Sequence, residues 1–331
     1  MTRTIAFDLR CLSISEKSER GTGQVVRPLL ESFARDTGGF QFVLLHVDGQ
    51  DVPDLGKSFK AIEVPGEYGD ISRPNWHQES CKLGRFLSQL DVDLYHSPDL
   101  YFPRGFNKPV LVTINDYYEL PLFGPFEMFG KRYAWRWNLR FRFRYEWTWR
   151  TLRKWCTKIA TISDTTATRI KEGRPLLADK VVSIPIGLLD GWNEPPKQAS
   201  EIISTFDFPR PWILHTGGFE FRKNPEGIVQ AFQEIRDHYP EATLLLTGPD
   251  HGVRPNLEGI EYLGYVDLPT LKSLYMAADC FLFPSFEEGF GIPVLEALSF
   301  GCPVVTSTGT ATEEAADGKA ILVDPGHSAS I

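Results

Sequence analysis

Cysteine and histidine are too few and too scattered in this sequence to form an obvious metal or disulfide site. The five cysteines include no Cys-x-x-Cys pair, which is typical of reduced thiols in cytoplasm rather than of a disulfide framework. The seven histidines show neither His-x-x-x-His nor His-Glu-x-x-His spacing. Zinc sites built on those spacings are therefore excluded.

Long apolar runs are also absent. No run of about 18 or more uninterrupted apolar residues occurs, so no membrane-spanning helix is expected. Charged residues resume too soon after the N-terminus for a signal peptide, and residues 4–9 predict a first β-strand instead. The formal net charge of −8 argues against a general nucleic-acid binder. We expect a cytoplasmic protein with no nucleic-acid partner.

Short apolar runs alternate with helix-like segments along both halves of the chain, which is typical of parallel α/β sheets. In the first half the predicted strands are 4–9, 40–47, 93–96, 109–115, 158–163 and 181–186. In the second half they are 211–217, 242–248, 261–266, 279–285, 303–307 and 320–324.

Between these halves, residues 187–200 are rich in glycine, proline and polar residues, as interdomain linkers are. We predict an N-terminal domain over 1–190, a linker over 191–205 and a C-terminal domain over 206–331. Each half is suited to a doubly wound Rossmann-like sheet, and a cleft is expected between them. Ligands of such folds bind beyond the carboxyl ends of the strands.

The stretch EEGFGIPVLE, residues 287–296, places glutamates before and after a glycine-rich turn. Pro293 suits the first position of a helix, because its ring presets φ and its missing N–H would be unpaired there. Gly301 suits the position just after the end of that helix. Glu288 then lies in the turn before the helix, and Glu296 lies about one turn inside it.

This placement predicts an anion site. The backbone N–H groups of Gly289, Phe290 and Gly291 lie near the positive end of the helix dipole, and glycine lets an anion approach the backbone. Glu288 and Glu296 would flank the anion and bind hydroxyl groups. An ordinary strand-turn-helix with solvated glutamates is the alternative.

A basic pair occurs in GGFEFRKNP, residues 217–225, directly after a predicted strand. Asn224 is a favourable N-cap and Pro225 a favourable first helical residue. Arg222 and Lys223 would then lie at a helix N-terminus, where two cations oppose the dipole unless an anion lies between them. A bound anion or a solvated basic pair are the two interpretations.

A weaker signal is RGTGQVVRPLL, residues 20–30, a Gly-x-Gly turn after the first strand. As a dinucleotide fingerprint it is incomplete, because Val26 stands where a third glycine is required. Gly23 could still bring a ligand close to the backbone.

These motifs together resemble glycosyltransferase family 4. The resemblance is carried by PSFEEGFGIPVLEALSFGCPVVTS, LKSLYMAADCFLFPS and GGFEFRKN, and it extends through GTGQVVRPLL, DVDLYHSPDLYFP, VTINDYYEL and IATISDTTATRI. It implies a retaining, nucleotide-sugar-dependent enzyme of the GT-B fold. In that α/β fold, two Rossmann-like doubly wound domains face each other across a cleft.

The resemblance implies a role for each residue of the motifs. Glu296 matches the ribose-binding glutamate, and Glu288 matches the glutamate near the donor sugar, whose hydroxyls also meet the N–H groups of the GFG turn. Arg222 and Lys223 match the residues that neutralise the diphosphate, and Gly23 is placed on the same diphosphate. No metal or other cofactor is then required.

Other positions are placed in the cleft by the same resemblance. The base is expected near Gly264, Tyr265 and Val266, and Gly217 and Gly218 are expected to line the cleft.

The catalytic base is less clearly marked. Many family members carry His-Asp where this chain has Asn115 and Asp116, and Asn115 cannot exchange a proton near neutral pH. Asp116 is the nearest acid and His96 the nearest imidazole, so Glu288, Asp116 and Asn115 are the catalytic candidates. The leaving phosphate itself is an alternative proton acceptor. We interpret the Asp91-Val92-Asp93 sequence as a helix-to-strand connection rather than a metal-binding Asp-x-Asp motif.

The segment 131–158 combines aromatic and basic residues. It holds five of the eight tryptophans, and its ten Lys and Arg against one Glu give a local charge of +9. Aromatic residues or Leu occupy every odd position from Tyr133 to Trp149, a strand-like period of two, whereas the family has a helix here. Burial against the N-terminal domain, insertion at an anionic membrane surface and nucleic-acid stacking are the alternatives, with the first two favoured.

We expect the donor to be GDP-mannose, with UDP-hexoses or dTDP-sugars as alternatives, and the acceptor to be a glycan or lipid-linked glycan in bacterial surface polysaccharide assembly. A non-catalytic sugar-nucleotide-binding or scaffold protein is the rival hypothesis, motivated by Asn115, and an RNA-binding protein is a further one. The sequence stops where family members continue with helices, so a truncated C-terminal domain is expected.

Overall fold

The computed structural model describes residues 2–13, 22–65, 76–117, 126–128, 131–133, 139–188, 191–249, 255 and 257–331. The chain divides into two compact units. The first comprises Met1–Gly124 and Trp135–Ile186, and the second comprises Pro125–Ala134 and Gly187–Ile331. Gly21 of the predicted Gly-x-Gly turn and residues 134–138 of the aromatic-basic segment lie outside the described residues.

Strands and helices alternate through both units. Strands β1 to β15 are, in chain order, Thr4–Asp8, Gln41–His46, Phe59–Glu63, Leu94–Ser97, Val110–Ile114, Phe126–Met128, Lys131–Tyr133, Lys158–Thr161, Val181–Ser183, Trp212–Thr216, Thr243–Thr247, Ile260–Gly264, Cys280–Phe283, Val304–Ser307 and Ile321–Val323. Helices α1 to α9 are Thr22–Arg35, Trp76–Leu87, Leu139–Trp155, Asp164–Gly173, Ala199–Ser204, Pro225–His238, Leu268–Ala277, Ile292–Ser299 and Ala311–Ala316.

The first unit is built on a parallel sheet with the strand order β3-β2-β1-β4-β5-β8-β9. Strand order reverses between β1 and β4, as in doubly wound Rossmann-like sheets. The apolar side chains of the central strands are buried among the helices, with Phe7 and Tyr95 fully enclosed. Parallel strands covered on both faces are rich in apolar residues throughout, which is why this sequence predicts them well.

The second unit has the order β12-β11-β10-β13-β14-β15, again all parallel. Its order reverses between β10 and β13, which places the expected ligand crevice at the carboxyl ends of those two strands. The predicted pair of Rossmann-like units is therefore confirmed. Each predicted strand overlaps an observed one.

Three strands were not predicted from the sequence. The edge strand β3 has mostly exposed or half-exposed side chains, including Lys60 and Glu63, so it lacks the apolar run of the central strands. The short strands β6 and β7 pair with each other in an antiparallel arrangement. Helix α5 and Gly191 both fall within the stretch 191–205 that was predicted as a linker.

Glycine turns tie the carboxyl ends of β10, β11 and β12 together. The N–H groups of Gly217 and Gly218, after β10, both donate to the carbonyl of Thr247 at the end of β11, at 2.9 Å each. Gly248 N–H, after β11, donates to the carbonyl of Gly264 at the end of β12, at 2.7 Å. The three turns therefore hold one another in place beside the strand-order reversal.

Helix α3 covers most of the aromatic-basic segment, so the helix expected from the family is confirmed over Leu139–Trp155, and the strand-like interpretation is wrong for the odd positions there. Lys131–Tyr133 at the start of the segment form β7. Tyr145, Trp149 and Leu152 follow each other at helical spacing and are buried in the first unit. Phe143, by contrast, is 71% exposed. Among the described helices, none is both long and apolar enough to cross a bilayer.

Replacing Gly248 by alanine is predicted to destabilise the second unit more than the same change at Gly264. Both glycines have a positive φ, at +117° and +65°, but a Cβ on Gly248 would lie 2.6 Å from the backbone nitrogen of Gly218, whereas Gly264 faces open space. We expect Gly264→Ala to cost about 1 kcal/mol and Gly248→Ala roughly 3 kcal/mol or more.

Denaturant unfolding of the two variants and the parent chain checks this. Equal losses of unfolding free energy in the two variants would show that close backbone packing does not hold these turns.

Candidate functional site

The candidate site lies at the carboxyl ends of β10 and β13, where the strand order of the second sheet reverses. Strand β10 ends at Thr216 and is followed by Gly217 and Gly218, while β13 ends at Phe283 and is followed by the turn that leads into α8. The backbone N–H of Phe286 in that turn donates to the carbonyl of Arg222 at 2.8 Å, which joins the two predicted motifs directly.

Helix α8 separates the two glutamates as expected, with Glu288 in the preceding turn and Glu296 inside the helix. The helix begins at Ile292, so Pro293 is its second residue and not its first as predicted. Gly291 takes the N-cap position at φ +102°, where a Cβ would lie 2.9 Å from the Thr312 side chain. Space and backbone conformation therefore both require glycine at Gly291.

The end of α8 confirms the predicted role of Gly301. Its φ is +73°, and its N–H donates to the carbonyl of Leu298 at 3.0 Å. The N–H of Cys302 donates to the carbonyl of Ala297 at 3.1 Å. These two bonds form a Schellman motif, which satisfies the last carbonyl groups of a short helix.

The basic pair lies in a single 3-10 turn, Phe221–Lys223, directly before α6. The predicted cap is confirmed, because the Asn224 side chain accepts a hydrogen bond from the N–H of Gly227 at 3.2 Å, and Pro225 opens the helix. Asn224 adopts a left-handed conformation, with φ +59°. That turn of the backbone places Arg222 and Lys223 beside the α6 terminus on the side of the EEGFG turn.

An anion does lie between the two cations, and it is Glu288. Its Oε2 accepts from Arg222 Nη1 at 2.7 Å, and its Oε1 accepts from Lys223 Nζ at 2.5 Å. The family-based interpretation assigned the cations to the diphosphate and Glu288 to the sugar, and did not foresee that they form one cluster. Glu220 joins it by accepting from Arg222 Nε at 2.9 Å. We call these four residues, Glu220, Arg222, Lys223 and Glu288, the bridge cluster.

Burial and charge act in opposite directions in the bridge cluster. Although burial favours the neutral acid, the charges and hydrogen bonds of Arg222 and Lys223 lower the pKa of Glu288 to about 2. Burial lowers the pKa of Lys223 from its ordinary value, against the opposing charge of Glu288. Its ammonium lies 4.3 Å from the ring centroid of Phe283, which adds a cation–π contact. Glu288 is therefore ionised near neutral pH, and its charge favours the ammonium form of Lys223.

Glu296 is in a different environment. It is 4% exposed, and its Oε2 accepts a hydrogen bond from the fully buried Tyr275 hydroxyl on α7 at 2.9 Å. Burial raises the pKa of Glu296 to about 7, while the hydrogen bond from Tyr275 and the charge of Lys223 act in the opposite direction. A carboxyl with this pKa can accept hydrogen bonds from hydroxyl groups at neutral and alkaline pH.

The other predicted residues of the second unit fall at the same sheet edge. Phe290 is buried beside the α8 terminus. Gly264 ends β12, and Tyr265, which follows it beside the glycine turns, is 63% exposed. Gly217 packs on Lys223, since a Cβ there would lie 3.1 Å from Lys223 Cε. The expectation that Gly264 to Val266 bind the base stays a prediction.

The candidates in the first unit follow the ends of β4 and β5 and the start of α1. Asn115 Nδ2 donates to Pro98 O at 3.3 Å and to Thr22 Oγ1 at 3.4 Å. Its Oδ1 is buried and has no hydrogen-bond partner among the residues that the structure describes. Gly23 is buried in the first turn of α1, and Asp116 is exposed. Asn115 thus lies close to the start of α1, and its place in the cleft stays a prediction.

His96 is enclosed by the first sheet. Its Nε2 lies 2.8 Å from Thr113 Oγ1, and its ring contacts Phe7 edge-on at 4.9 Å. Burial lowers the pKa of His96 to about 4, so the ring is neutral at physiological pH. These contacts give it a packing role.

The Asp-x-Asp sequence has a structural role in this fold. Asp93 Oδ2 accepts from the N–H of Thr4 at 2.8 Å and so connects the start of β1 to the segment before β4. In the part of the chain that the structure describes, no group of three His, Cys, Asp or Glu side chains is placed to hold a metal ion.

A family model matches the part of the chain that holds the strand-order reversal, the two cations and the glycine-rich helix start. Residues 210–331 match the model described as "Glycosyl transferases group 1". This part of the chain is therefore similar to group 1 glycosyltransferases. The resemblance to glycosyltransferase family 4 inferred from the EEGFGIPVLE and RKN motifs is therefore confirmed.

Curated relatives match up to about half of the chain. The chain is 34% identical over 186 residues to the O-antigen chain mannosyltransferase B of Escherichia coli, which covers 50% of this chain and 47% of that protein. The chain thus aligns with about half the length of this relative.

Solved structures resemble the chain over nearly all of its length. Anabaena HepE, in complex with UDP and glucose, has a TM-score of 0.68 at 13% identity and covers 99% of this chain and 87% of its own. WaaG, a glycosyltransferase involved in lipopolysaccharide biosynthesis, has a TM-score of 0.65 at 18% identity and covers 97% of this chain and 86% of its own. The predicted GT-B fold class is confirmed.

Sequence reasoning missed Tyr275 and Glu220. Tyr275 lies in LKSLYMAADC, where its apolar neighbours predict only a packing role, and its hydroxyl reaches Glu296 because α7 and α8 are neighbours in the second unit. Glu220 stands two residues before Arg222, so an ion pair between them could have been inferred from spacing alone.

The raised pKa of Glu296 predicts a change of stability with pH. Its folded-state pKa of about 7 lies above the ordinary 4.5, so the folded protein prefers the neutral acid and loses stability as pH rises from 4.5 to 7. The shift corresponds to about 3 kcal/mol of unfolding free energy. Glu296→Gln removes the titration, so we expect its stability relative to the parent chain to rise over this interval and then level off.

Denaturant unfolding at several pH values measures the difference, with the exposed Glu241→Gln as control. A Glu296→Gln difference that stays constant from pH 4.5 to 7 would contradict the buried, protonatable carboxyl.

Proposed function

We propose that this protein is a retaining glycosyltransferase that moves a sugar from a nucleoside-diphosphate donor to a glycan or lipid-linked acceptor. The observation that carries this proposal is the convergence of Arg222 and Lys223 on the strand-order reversal of a domain that is similar to group 1 glycosyltransferases. Doubly wound sheets bind ligands at that point, and two cations there match a diphosphate in charge and size.

The transfer requires stabilisation of a leaving diphosphate. The bond between the anomeric carbon and the β-phosphate oxygen breaks, a new bond forms to the acceptor oxygen, and the acceptor proton passes to the leaving phosphate. Arg222 and Lys223 stabilise the charge that grows on this leaving group. The anomeric configuration of the sugar is retained, because the new bond forms on the same face from which the phosphate leaves. Glu288 and the turn Gly289–Gly291 lie beside the sugar. Because these two cations balance the charge of the leaving diphosphate, the proposed step needs no metal ion.

The ribose is proposed to bind at Glu296, whose Oε1 is proposed to accept its hydroxyl groups. Tyr275 holds the other oxygen, which orients the carboxyl. The base is proposed to lie by Gly264, Tyr265 and Val266, at the edge of the same sheet.

GDP-mannose is our proposed donor. Support comes from the similarity to a mannosyltransferase that builds O-antigen chains. Structural similarity to HepE in complex with UDP and glucose keeps UDP-sugars as the direct alternative. The same relatives favour surface polysaccharide assembly, whose acceptors are glycans or lipid-linked glycans.

A lipid-linked acceptor would bring the protein to an anionic membrane surface, and α3 offers a face for this contact. Phe143, Arg150 and Lys154 are exposed and recur at helical spacing on one side of the helix. The opposite stripe, with Trp149 and Leu152, is buried. Burial therefore accounts for one side of the helix, and we propose membrane contact for the other.

A donor screen tests the activity. Purified protein is incubated with GDP-mannose, UDP-glucose and dTDP-glucose plus lipid-linked glycan, and nucleoside diphosphate release and binding are measured. We expect GDP-mannose to give turnover. Glu296→Ala should weaken binding of the donor by about tenfold to a hundredfold, because one charge-assisted hydrogen bond is lost.

Glu241→Ala, a change of the same type on an exposed turn, is the control and should leave binding unchanged. Donor binding without turnover in the presence of a competent acceptor would favour the non-catalytic sugar-nucleotide-binding protein. Unaltered donor affinity in Glu296→Ala would refute the assignment of the ribose.

Vesicle binding tests the membrane face. The protein should sediment with vesicles of phosphatidylcholine and phosphatidylglycerol at low salt and not with phosphatidylcholine alone. The double variant Arg150→Glu, Lys154→Glu should lose most of this binding, since each basic residue near an anionic surface contributes about 1 kcal/mol.

The double variant Lys57→Glu, Lys60→Glu changes two exposed lysines elsewhere in the first unit by the same charge and should bind as the parent chain does. If both double variants lost vesicle binding equally, the binding would depend on net charge alone, and this would count against a specific membrane face on α3.

A further inference from the structure

The bridge cluster is neutral as it stands. Arg222 and Lys223 carry two positive charges, and Glu220 and Glu288 carry two negative ones, each within ion-pair distance. The cations proposed to receive a diphosphate are therefore already neutralised by carboxylates of the chain itself.

Because the cluster is largely buried, an added negative charge is strongly disfavoured there. The side chains of Lys223 and Glu288 are 7% and 9% exposed, so water screens their charges poorly. A diphosphate added to the intact cluster would bring two further negative charges against a buried carboxylate. Like charges at such range repel strongly, and a site with this excess of negative charge binds phosphate weakly.

The Glu288 side chain is placed so that it can move away from Arg222 and Lys223. It lies in the turn between β13 and α8 and not within either element, so its side chain can turn without breaking a strand or a helix. Its backbone is held nearby, because the N–H of Phe286 donates to the carbonyl of Arg222. The carboxylate therefore stays within reach of both cations after it has been displaced.

Glu220 is a weaker competitor for the same cations. Its carboxylate pairs with Arg222 and, among the described residues, forms no ion pair with Lys223, and its side chain is 32% exposed. Glu288 joins both cations, which makes it the group that a phosphate must replace.

We infer that Glu288 is a resident counter-ion that competes with phosphate: it holds Arg222 and Lys223 until a donor diphosphate displaces it, and it reclaims them to expel the product nucleoside diphosphate. This inference rests on the proposed function, because it assumes that phosphate binds at these cations. Displacement frees the carboxylate to face the donor sugar, so the same side chain acts as competitor for the product and as contact for the substrate.

Removing the charge should therefore tighten phosphate binding and slow turnover. For Glu288→Gln we expect the Kd for inorganic pyrophosphate, GDP and UDP to fall by about tenfold or more. Turnover of the donor should fall, because product release is slower and the sugar contact is weaker. A merely structural glutamate would show the opposite sign for binding, since its loss would loosen the site.

Isothermal titration calorimetry with pyrophosphate measures the effect independently of base and sugar. Glu288→Asp is the second variant, because it keeps the charge but is too short to reach both cations, and it should tighten pyrophosphate by a smaller factor. Glu220→Gln removes a carboxylate that pairs with Arg222 alone and should tighten pyrophosphate by a smaller factor than Glu288→Gln. Glu241→Gln, the same change on an exposed turn outside the bridge cluster, is the control, and its Kd should stay within about threefold of the parent.

The outcomes separate the two proposals. If the parent chain binds nucleoside diphosphate and both Glu288 variants bind pyrophosphate equally or more weakly, the competitor role is overturned while the proposed function stands. If neither the parent chain nor Glu288→Gln binds pyrophosphate or any nucleoside diphosphate, the proposed function falls and the inference with it. Pyrophosphate binding that appears only in Glu288→Gln supports the inference.

Discussion

The ion pair between Lys223 and Glu288 is the interaction around which the second unit's functional edge is organised. A lysine ammonium that is almost fully buried must have a counter-charge, because desolvation would otherwise remove its proton. Meeting that need draws the EEGFG turn onto the turn before α6. The backbone bond from Phe286 to Arg222 then fixes the two turns in register, and the start of α8 follows from that position.

Around this pair, the two glutamates of EEGFGIPVLE acquire opposite properties. Glu288 lies between two cations and stays ionised even in acid, whereas Glu296 lies among apolar groups beside a tyrosine hydroxyl and holds its proton up to near neutrality. Two chemically identical side chains on either side of one helix start are thus separated by about five pKa units. Position relative to Arg222 and Lys223 accounts for most of this difference.

Much of the fold could be predicted from the sequence because buried parallel strands carry continuous apolar runs and because Asn224, Pro225 and Gly301 act locally. The edge strand β3 could not, since half of its side chains face solvent. The approach of Glu288 to Arg222 and Lys223 spans 65 residues or more in sequence, and no local pattern encodes it. Tyr275 was missed for a similar reason, because its hydroxyl partner lies on the next helix.

The aromatic-basic segment shows where a periodicity argument fails. Aromatic residues at every odd position suggested a strand, but a helix with alternate aromatics places some of them on every side, and the first unit buries only one stripe. Arg174 forms a two-pronged ion pair with Glu146 and covers the ring of Trp149, so even the single acidic residue of the segment is used in packing. Tertiary contacts, and not the strand-like period of two, therefore determine the structure of this segment.

The interlocked glycine turns also limit how this site can change during evolution. Gly248 is bonded to Gly264, and Thr247 is bonded to both Gly217 and Gly218, so a shift of the outer turn would be transmitted to the turn beside the cations. Insertions or deletions there would disturb both ends at once. Under the proposal that the base lies by Gly264, Tyr265 and Val266, a change of nucleotide preference would therefore come from exchanging side chains such as Tyr265 on an unchanged backbone.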